Sequence, residues 1–166
     1  MELSPETLKT LAHGAISKRA ITNHQVLNEA FSYAKPSSFS RGMRIDLGDV
    51  AILLISGTGS IDEHGQTVHI GDFRAQVRRV FKNVTGLLES EGATWHDVVR
   101  TTIYLLDMDR DYAAFNEERT AIFEKLGLDP LPASTAIQAK LCRPELLIEI
   151  EAMAMFRTDA ESPKSK

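Results

Sequence analysis

Met43-Arg44-Ile45-Asp46-Leu47-Gly48-Asp49-Val50-Ala51-Ile52-Leu53-Leu54-Ile55 decides the fold. Gly48-Asp49 is a strong hairpin-turn pair, because glycine takes up positive φ without steric cost. The flanking runs, Met43 to Leu47 and Val50 to Ile55, therefore read as two antiparallel strands. The second run is apolar at every position, which predicts a strand buried on both faces. It passes into Ser56-Gly57-Thr58-Gly59, where small residues let a backbone or a ligand come close.

Downstream, Asp72 caps a helix running to about Glu91. Its apolar stripe is Phe73, Val77, Val80, Phe81, Val84, Leu87 and Leu88, and Gly92 stops it. Val98 to Leu106 reads as a strand with Val99, Thr101, Ile103 and Leu105 on one face. Asp109 to Leu126 is a second helix, with Tyr112, Phe115, Ile122, Phe123 and Leu126 inside and Gly127 at its end. Pro130 and Pro132 frame a loop before two last strands, Ala133 to Leu141 and Leu146 to Met155. The order β-β-α-β-α-β-β predicts an α+β domain, a mixed β-sheet with two helices on one face. The other face then lacks cover, and self-association is the cheapest way to supply it.

Upstream, Ser4-Pro5-Glu6 reads as a helix start, predicting a short helix through about Lys18. Ala20 to Phe39 has no clear period and reads as an extended arm or loop. Thr158 to Lys166 is polar, contains Pro163 and reads as a flexible tail. The expected division is an N-terminal extension over residues 1–38, a domain over 39–157 and a tail over 158–166.

The bulk numbers narrow the function classes. With 166 residues, 43% hydrophobic and 25% charged, the chain is long and apolar enough for one globular core. A net charge of −4 with no basic block argues against nucleic acid as a main partner, while leaving room for a local anion pocket. The single cysteine forbids an internal disulfide and fits a reducing cytoplasm. No stretch approaches the roughly 18–20 apolar residues of a membrane span, and Met1 to Ala15 does not read as a secretory signal. No phosphate-binding glycine loop or dinucleotide fingerprint appears, so no cofactor is expected. His64 and His69 find no third ligand at convincing spacing, so no metal is expected either.

Several strings fall in a telling order: Ile55-Ser56-Gly57, the helical stretch Gln76 to Asn83, Val98-Val99-Arg100-Thr101-Thr102, Phe115-Asn116-Glu117, Leu131-Pro132-Ala133 and Ile148-Glu149-Ile150-Glu151-Ala152. From about Phe39 to Phe156 the chain resembles the RidA (YjgF-type) family. The resemblance implies the chorismate-mutase-like RidA fold and a homotrimer with clefts between subunits. It also implies hydrolysis of reactive enamines and imines or, in other members, binding of small carboxylates. Glu149 matches the family's glutamate. Ser134 departs from the pattern: it stands where the family's deaminases carry the arginine that grips the substrate carboxylate. A neutral hydroxyl there replaces a bidentate fork. Phe39 falls near a tyrosine position of the deaminases and is expected as a pocket wall. Ser38-Phe39-Ser40-Arg41, Ser56 to Ile61, His69-Ile70-Gly71-Asp72 and Cys142 to Glu149 are also similar to the C-terminal half of the chorismatases, implying a related pocket.

Each candidate residue carries a competing structural reading. Glu149 and Glu151 point to one side of their strand and Ile148 and Ile150 to the other, so the pattern alone allows a solvated face. Walled by apolar groups, Glu149 would instead have a raised pKa and exchange protons near neutrality. Ser56, Gly57 and Thr58 form either a tight strand exit or a set of backbone N–H groups for a carboxylate or oxyanion. Lys140 is too far along the strand to replace the arginine lost at Ser134, about 20 Å at about 3.3 Å per residue. Arg41 is the preferred anion anchor, against a plain surface arginine, and Arg143 is read as capping a turn. Asn116 either packs its helix or reaches ligand, and Cys142 is a small buried hydrophobe or a thiol beside the pocket. The function expected from all this is a cofactor-free hydrolase or deaminase of a small unsaturated carboxylate. Glu149 would be the acid/base, water the nucleophile, and Arg41 with the Gly57 backbone the anion site. The alternatives are a non-catalytic metabolite-binding or regulatory protein and a chorismatase-like enol-ether hydrolase.

Overall fold

The structure, a computed structural model, describes residues 16–33 and 36–158. Six strands form one sheet in the order β1-β2-β3-β6-β4-β5. They are β1 (Ser17–Ala20), β2 (Gly42–Leu47), β3 (Val50–Gly59), β4 (Val98–Leu105), β5 (Ala133–Gln138) and β6 (Ile148–Arg157). Every pairing is antiparallel except β4 with β5, so the sheet is mixed. Two helices, α1 (Phe73–Glu89) and α2 (Met108–Leu126), join the strands. The predicted order from the hairpin to the last strand is the observed one.

The caps explain the helix limits. The Asp72 carboxylate accepts from the Ala75 N–H at 3.0 Å and opens α1. Asp107 does the same for Arg110 at 3.0 Å, so α2 begins just before the expected Asp109. Gly127, at φ 64°, closes α2 in the left-handed conformation. The α1 stripe from Val77 to Leu88 is buried against Leu53, Ile55, Ile103, Ile148 and Ile150 of the sheet. Phe81, Trp95 and Phe123 join α1 to α2 with ring centroids 5.0–5.8 Å apart.

Five local expectations change. Ser17–Ala20 is an edge strand rather than the end of a helix, and residues 1–15 lie outside the described residues. The stretch read as an arm sends Ile21 and Leu27 into the core with no exposed surface. A register shift between Val98 and Arg100 turns Val98 inward and leaves Val99 outside. Tyr112 and Leu126 are exposed, so the buried side of α2 is narrower than its apolar pattern. The last two strands are displaced at their ends, β5 stopping at Gln138 and β6 starting at Ile148. Thr158 donates its N–H to the Asp49 carbonyl at 2.9 Å, and the rest of the expected tail is not among the described residues.

The strand β3 is covered on one face only. Ala51, Leu53 and Ile55 are buried under α1, but Leu54 is 38% exposed. Register places Met43, Leu54 and Met153 side by side on the face away from the helices, and Ile45, Ile52 and Met155 beside them. This apolar sheet face is open in the single chain. No helix among the described residues is long and apolar enough to cross a membrane.

Candidate functional site

The same open face carries a cleft at one end, with a volume of about 940 Å³, within the range of small-molecule sites. Strand alternation brings Glu149 and Glu151 of β6 to its floor, beside Tyr104 of β4, which pairs with Glu149 in register. A bulge between Ile55 and Thr58 takes Ser56 and Gly57 out of register with β6 and bends β3 over the Glu149 carboxylate. A β-carbon on Gly57 would lie 2.9 Å from Glu149 Oε2. Glycine is thus required for close approach. Gly57→Ala is expected to push the carboxylate aside with only a small change in melting temperature. A crystal structure and calorimetry of that variant check it.

Two amides on the buried face of α1 hold the cleft floor. Gln76 donates to the Glu145 carbonyl at 2.8 Å and accepts from the Leu147 N–H at 2.9 Å, fixing the entry to β6 two residues before Glu149. Asn83 donates to the carbonyls of Gly59 and Ile61, fixing the exit from β3. Buried amides need such partners, and these tie both site strands to one rigid helix. The hydroxyl of Ser56 donates to the Ser40 carbonyl at 2.8 Å and the Ser56 N–H to the Arg41 carbonyl at 3.0 Å, which brings the 39–41 segment in as a wall.

The electrostatics separate the titrating groups. Burial pushes the Glu149 carboxyl above the usual range; the Cys142 thiol and Arg143 pull the other way, and Glu151 adds to the rise. Cys142 Sγ lies 3.5 Å from Glu149 Oε1, and burial beside that carboxylate raises the thiol pKa as well. Cys142 is therefore held as a thiol that donates to Glu149, in a setting that disfavours a thiolate nucleophile. Glu151 has its own partner, the Tyr104 hydroxyl at 3.0 Å. Arg41 is buried, and burial lowers its pKa from a value far above neutrality, so it stays a cation. Its guanidinium lies over the rings of Tyr33 and Phe39, at 5.0 and 5.4 Å.

The endoribonuclease L-PSP family model matches residues 32–156. The chain belongs to the endoribonuclease L-PSP family. A RutC family protein of Pyrococcus horikoshii is 35% identical over 102 residues, covering 61% of this chain and 77% of that protein. The YjgF gene product of E. coli has a similar structure, with a TM-score of 0.67 at 26% identity over 84% of this chain and 99% of that one. RidA from the Antarctic bacterium Psychrobacter sp. PAMC 21119 gives 0.66 at 25% identity over 83% and 99%. The relatives agree with a RidA-type assignment.

Among the residues expected from sequence, this L-PSP family chain gathers Phe39, Arg41, Ser56, Gly57, Cys142 and Glu149 around one cleft. Thr58 is buried and spends its hydroxyl on the Ser56 carbonyl at 2.8 Å. Ser134 and Asn116 are not at this cleft in the same chain. Ser134 pairs with Thr101, and their hydroxyls meet at 3.1 Å on the helix side of the sheet, opposite to Glu149. Arg119 of α2 reaches both: one Nη donates to Ser134 Oγ at 3.1 Å and the other to Asn116 Oδ1, with the guanidinium 4.9 Å from the Phe115 ring centroid. Sequence reasoning missed Arg119, Tyr33, Tyr104 and the two amides. It placed Arg143 at a turn, and Arg143 does donate to the Gly65 carbonyl at 2.8 Å, but it also lines the cleft. Lys140 lines the cleft too. No cluster of metal-ligating side chains occurs among the described residues.

Proposed function

We propose that this protein is a cofactor-free hydrolase or deaminase of small unsaturated carboxylates and that Glu149 is its proton-transfer group. The observation that supports this most is the Glu149 carboxyl itself. It is half-buried with its pKa raised by burial, it is aimed at a glycine-lined gap, and it shares a cleft with a buried arginine. Protonated Glu149 gives its proton to the nucleophilic carbon of an enamine. Water adds to the resulting iminium carbon and returns a proton to the carboxylate, and ammonia leaves as the carbonyl forms. The net change is hydrolysis of one C–N bond by one water. Arg41 holds the substrate carboxylate.

The clefts, on this reading, are completed by self-association into a homotrimer through the open sheet face. Arg119 restores a guanidinium at the Ser134 position from the neighbouring helix, which offsets the loss of the family's arginine. The partner is a small metabolite rather than nucleic acid, and the compartment is the cytoplasm. Arg119 sits on a different element from the family's arginine, and that change of geometry favours a second reading, a metabolite-binding or regulatory protein using the same cleft. Chorismatase-like ether hydrolysis shares the Arg41 segment and forms a third arm of the same assay. Ammonia release is measured for freshly generated enamino acids and aminomuconates, and pyruvate release for chorismate. Saturable ammonia release from at least one enamine is expected. Tight binding without turnover of any of them would favour the binding protein.

A further inference from the structure

Seven arginines elsewhere in the protein, from Arg19 beside Glu91 to Arg157 beside Asp49, stand against carboxylates, while Arg100 and Arg119 bond to neutral side-chain oxygens. The two arginines of the cleft have no carboxylate partner among the described residues either, and they are the pair that shares a cavity. Arg41 is 4% exposed, and its hydrogen bonds run from Nε and one Nη to the single carbonyl of Asn28, at 2.9 and 2.7 Å. Its other Nη has no acceptor among the described residues. Arg143 spends one Nη on the Gly65 carbonyl and Thr67 hydroxyl, leaving its Nε and second Nη without acceptors there. Both guanidiniums lie over the same Tyr33 ring, 5.0 and 4.8 Å from its centroid, and both line the cleft. Glu29 is buried nearby and acts on Arg41 through space, but it forms no ion pair with either arginine.

Burying a cation without a bonded counter-ion is costly, and placing a second cation beside it adds to the cost. Each guanidinium has open donors and lines a space the size of a small molecule, and one carboxylate satisfies one fork. We infer that the ligand of this cleft carries two carboxylates, one met by the open side of Arg41 and the other by Arg143. The inference rests on the functional reading above only in taking this cleft as the ligand site.

Titration calorimetry at low ionic strength tests it with three matched pairs of probes: fumarate and crotonate, trans-glutaconate and trans-2-pentenoate, trans,trans-muconate and sorbate. Within each pair only the far end changes, from carboxylate to methyl. At least one dicarboxylate is expected to bind about tenfold or more tightly than its partner. Arg143→Gln is expected to abolish that preference, weakening the dicarboxylate about tenfold more than its monocarboxylate partner. Arg143→Lys is expected to recover part of it. Three results would overturn the inference: no pair showing the preference, Arg143→Gln weakening both members equally, or inorganic phosphate binding as tightly as the best dicarboxylate. Binding needs no turnover, so the two readings fail separately. An inert cleft that prefers dicarboxylates counts against the enzyme alone, and a working enzyme without the preference counts against the paired arginines alone.

Discussion

Glu149→Gln is expected to lower turnover by about 10²–10⁴-fold, the usual loss for a general acid/base, while the cleft still binds anionic ligands. Glutamine is nearly isosteric, and its amide keeps the shape that Gly57 accommodates. It can neither give nor take the proton that enamine hydrolysis requires. Stability supplies the check on folding, with a definite sign. Burial raises the folded-state pKa of Glu149 above its unfolded value, so the folded protein holds the proton over a window in which the unfolded chain has lost it. Stability therefore falls as pH rises through that window, and above it the buried charge remains a penalty. The variant lacks that penalty, so it should melt higher than the natural protein at alkaline pH and converge with it in acid. Glu151→Gln is the control, because Glu151 is bonded to Tyr104 and is not the family's glutamate. Equal losses at both positions would point to general electrostatics rather than proton transfer.

If the protein is the trimeric enzyme proposed above, Leu54→Glu is expected to convert it to monomers at micromolar concentration and to abolish most of its activity. Leu54 stands 38% exposed in the single chain, between Met43 and Met153 in register. In a trimer closed through this face, three copies of one glutamate would be driven into an apolar interface, which costs far more than exposing them. In the isolated chain the same change costs little, because the side chain already meets water. Sedimentation separates the cases. A natural protein that sediments as a monomer would remove the reason for the open face, and a Leu54→Glu trimer would place the interface elsewhere.

Locally encoded parts of the fold were legible. The Gly48-Asp49 hairpin, the α1 stripe and the glycine stop at Gly127 each depend on neighbours a few residues away, and the structure keeps them. The edge strand β1 was hidden because Ser17-Lys18-Arg19-Ala20 is exposed throughout and has no period to read. Val50 to Ile55 reads as doubly buried because every position is apolar, whereas the single chain covers only the face of Ala51, Leu53 and Ile55. Within the site, Glu149 was legible through strand parity and the family string, and Arg41 through its segment. Arg119 was not, since its contact with Ser134 joins helix to strand across 15 residues with no local signature. Gln76 and Asn83 carried a faint signal, two amides seven positions apart within an apolar stripe, and their role emerged only when their acceptors proved to be the strand ends beside Glu149.

The most direct measurement is a crystal structure of the Glu149→Gln variant soaked with its best enamine or unsaturated carboxylate ligand. The expected result is a carboxylate on Arg41 and the reactive carbon about 3–3.5 Å from the residue 149 side chain, near the gap at Gly57. Ligand bound at the Ser134 and Arg119 edge instead, with the Glu149 cleft of every subunit empty, would contradict the assignment of Glu149 as the group that moves the proton.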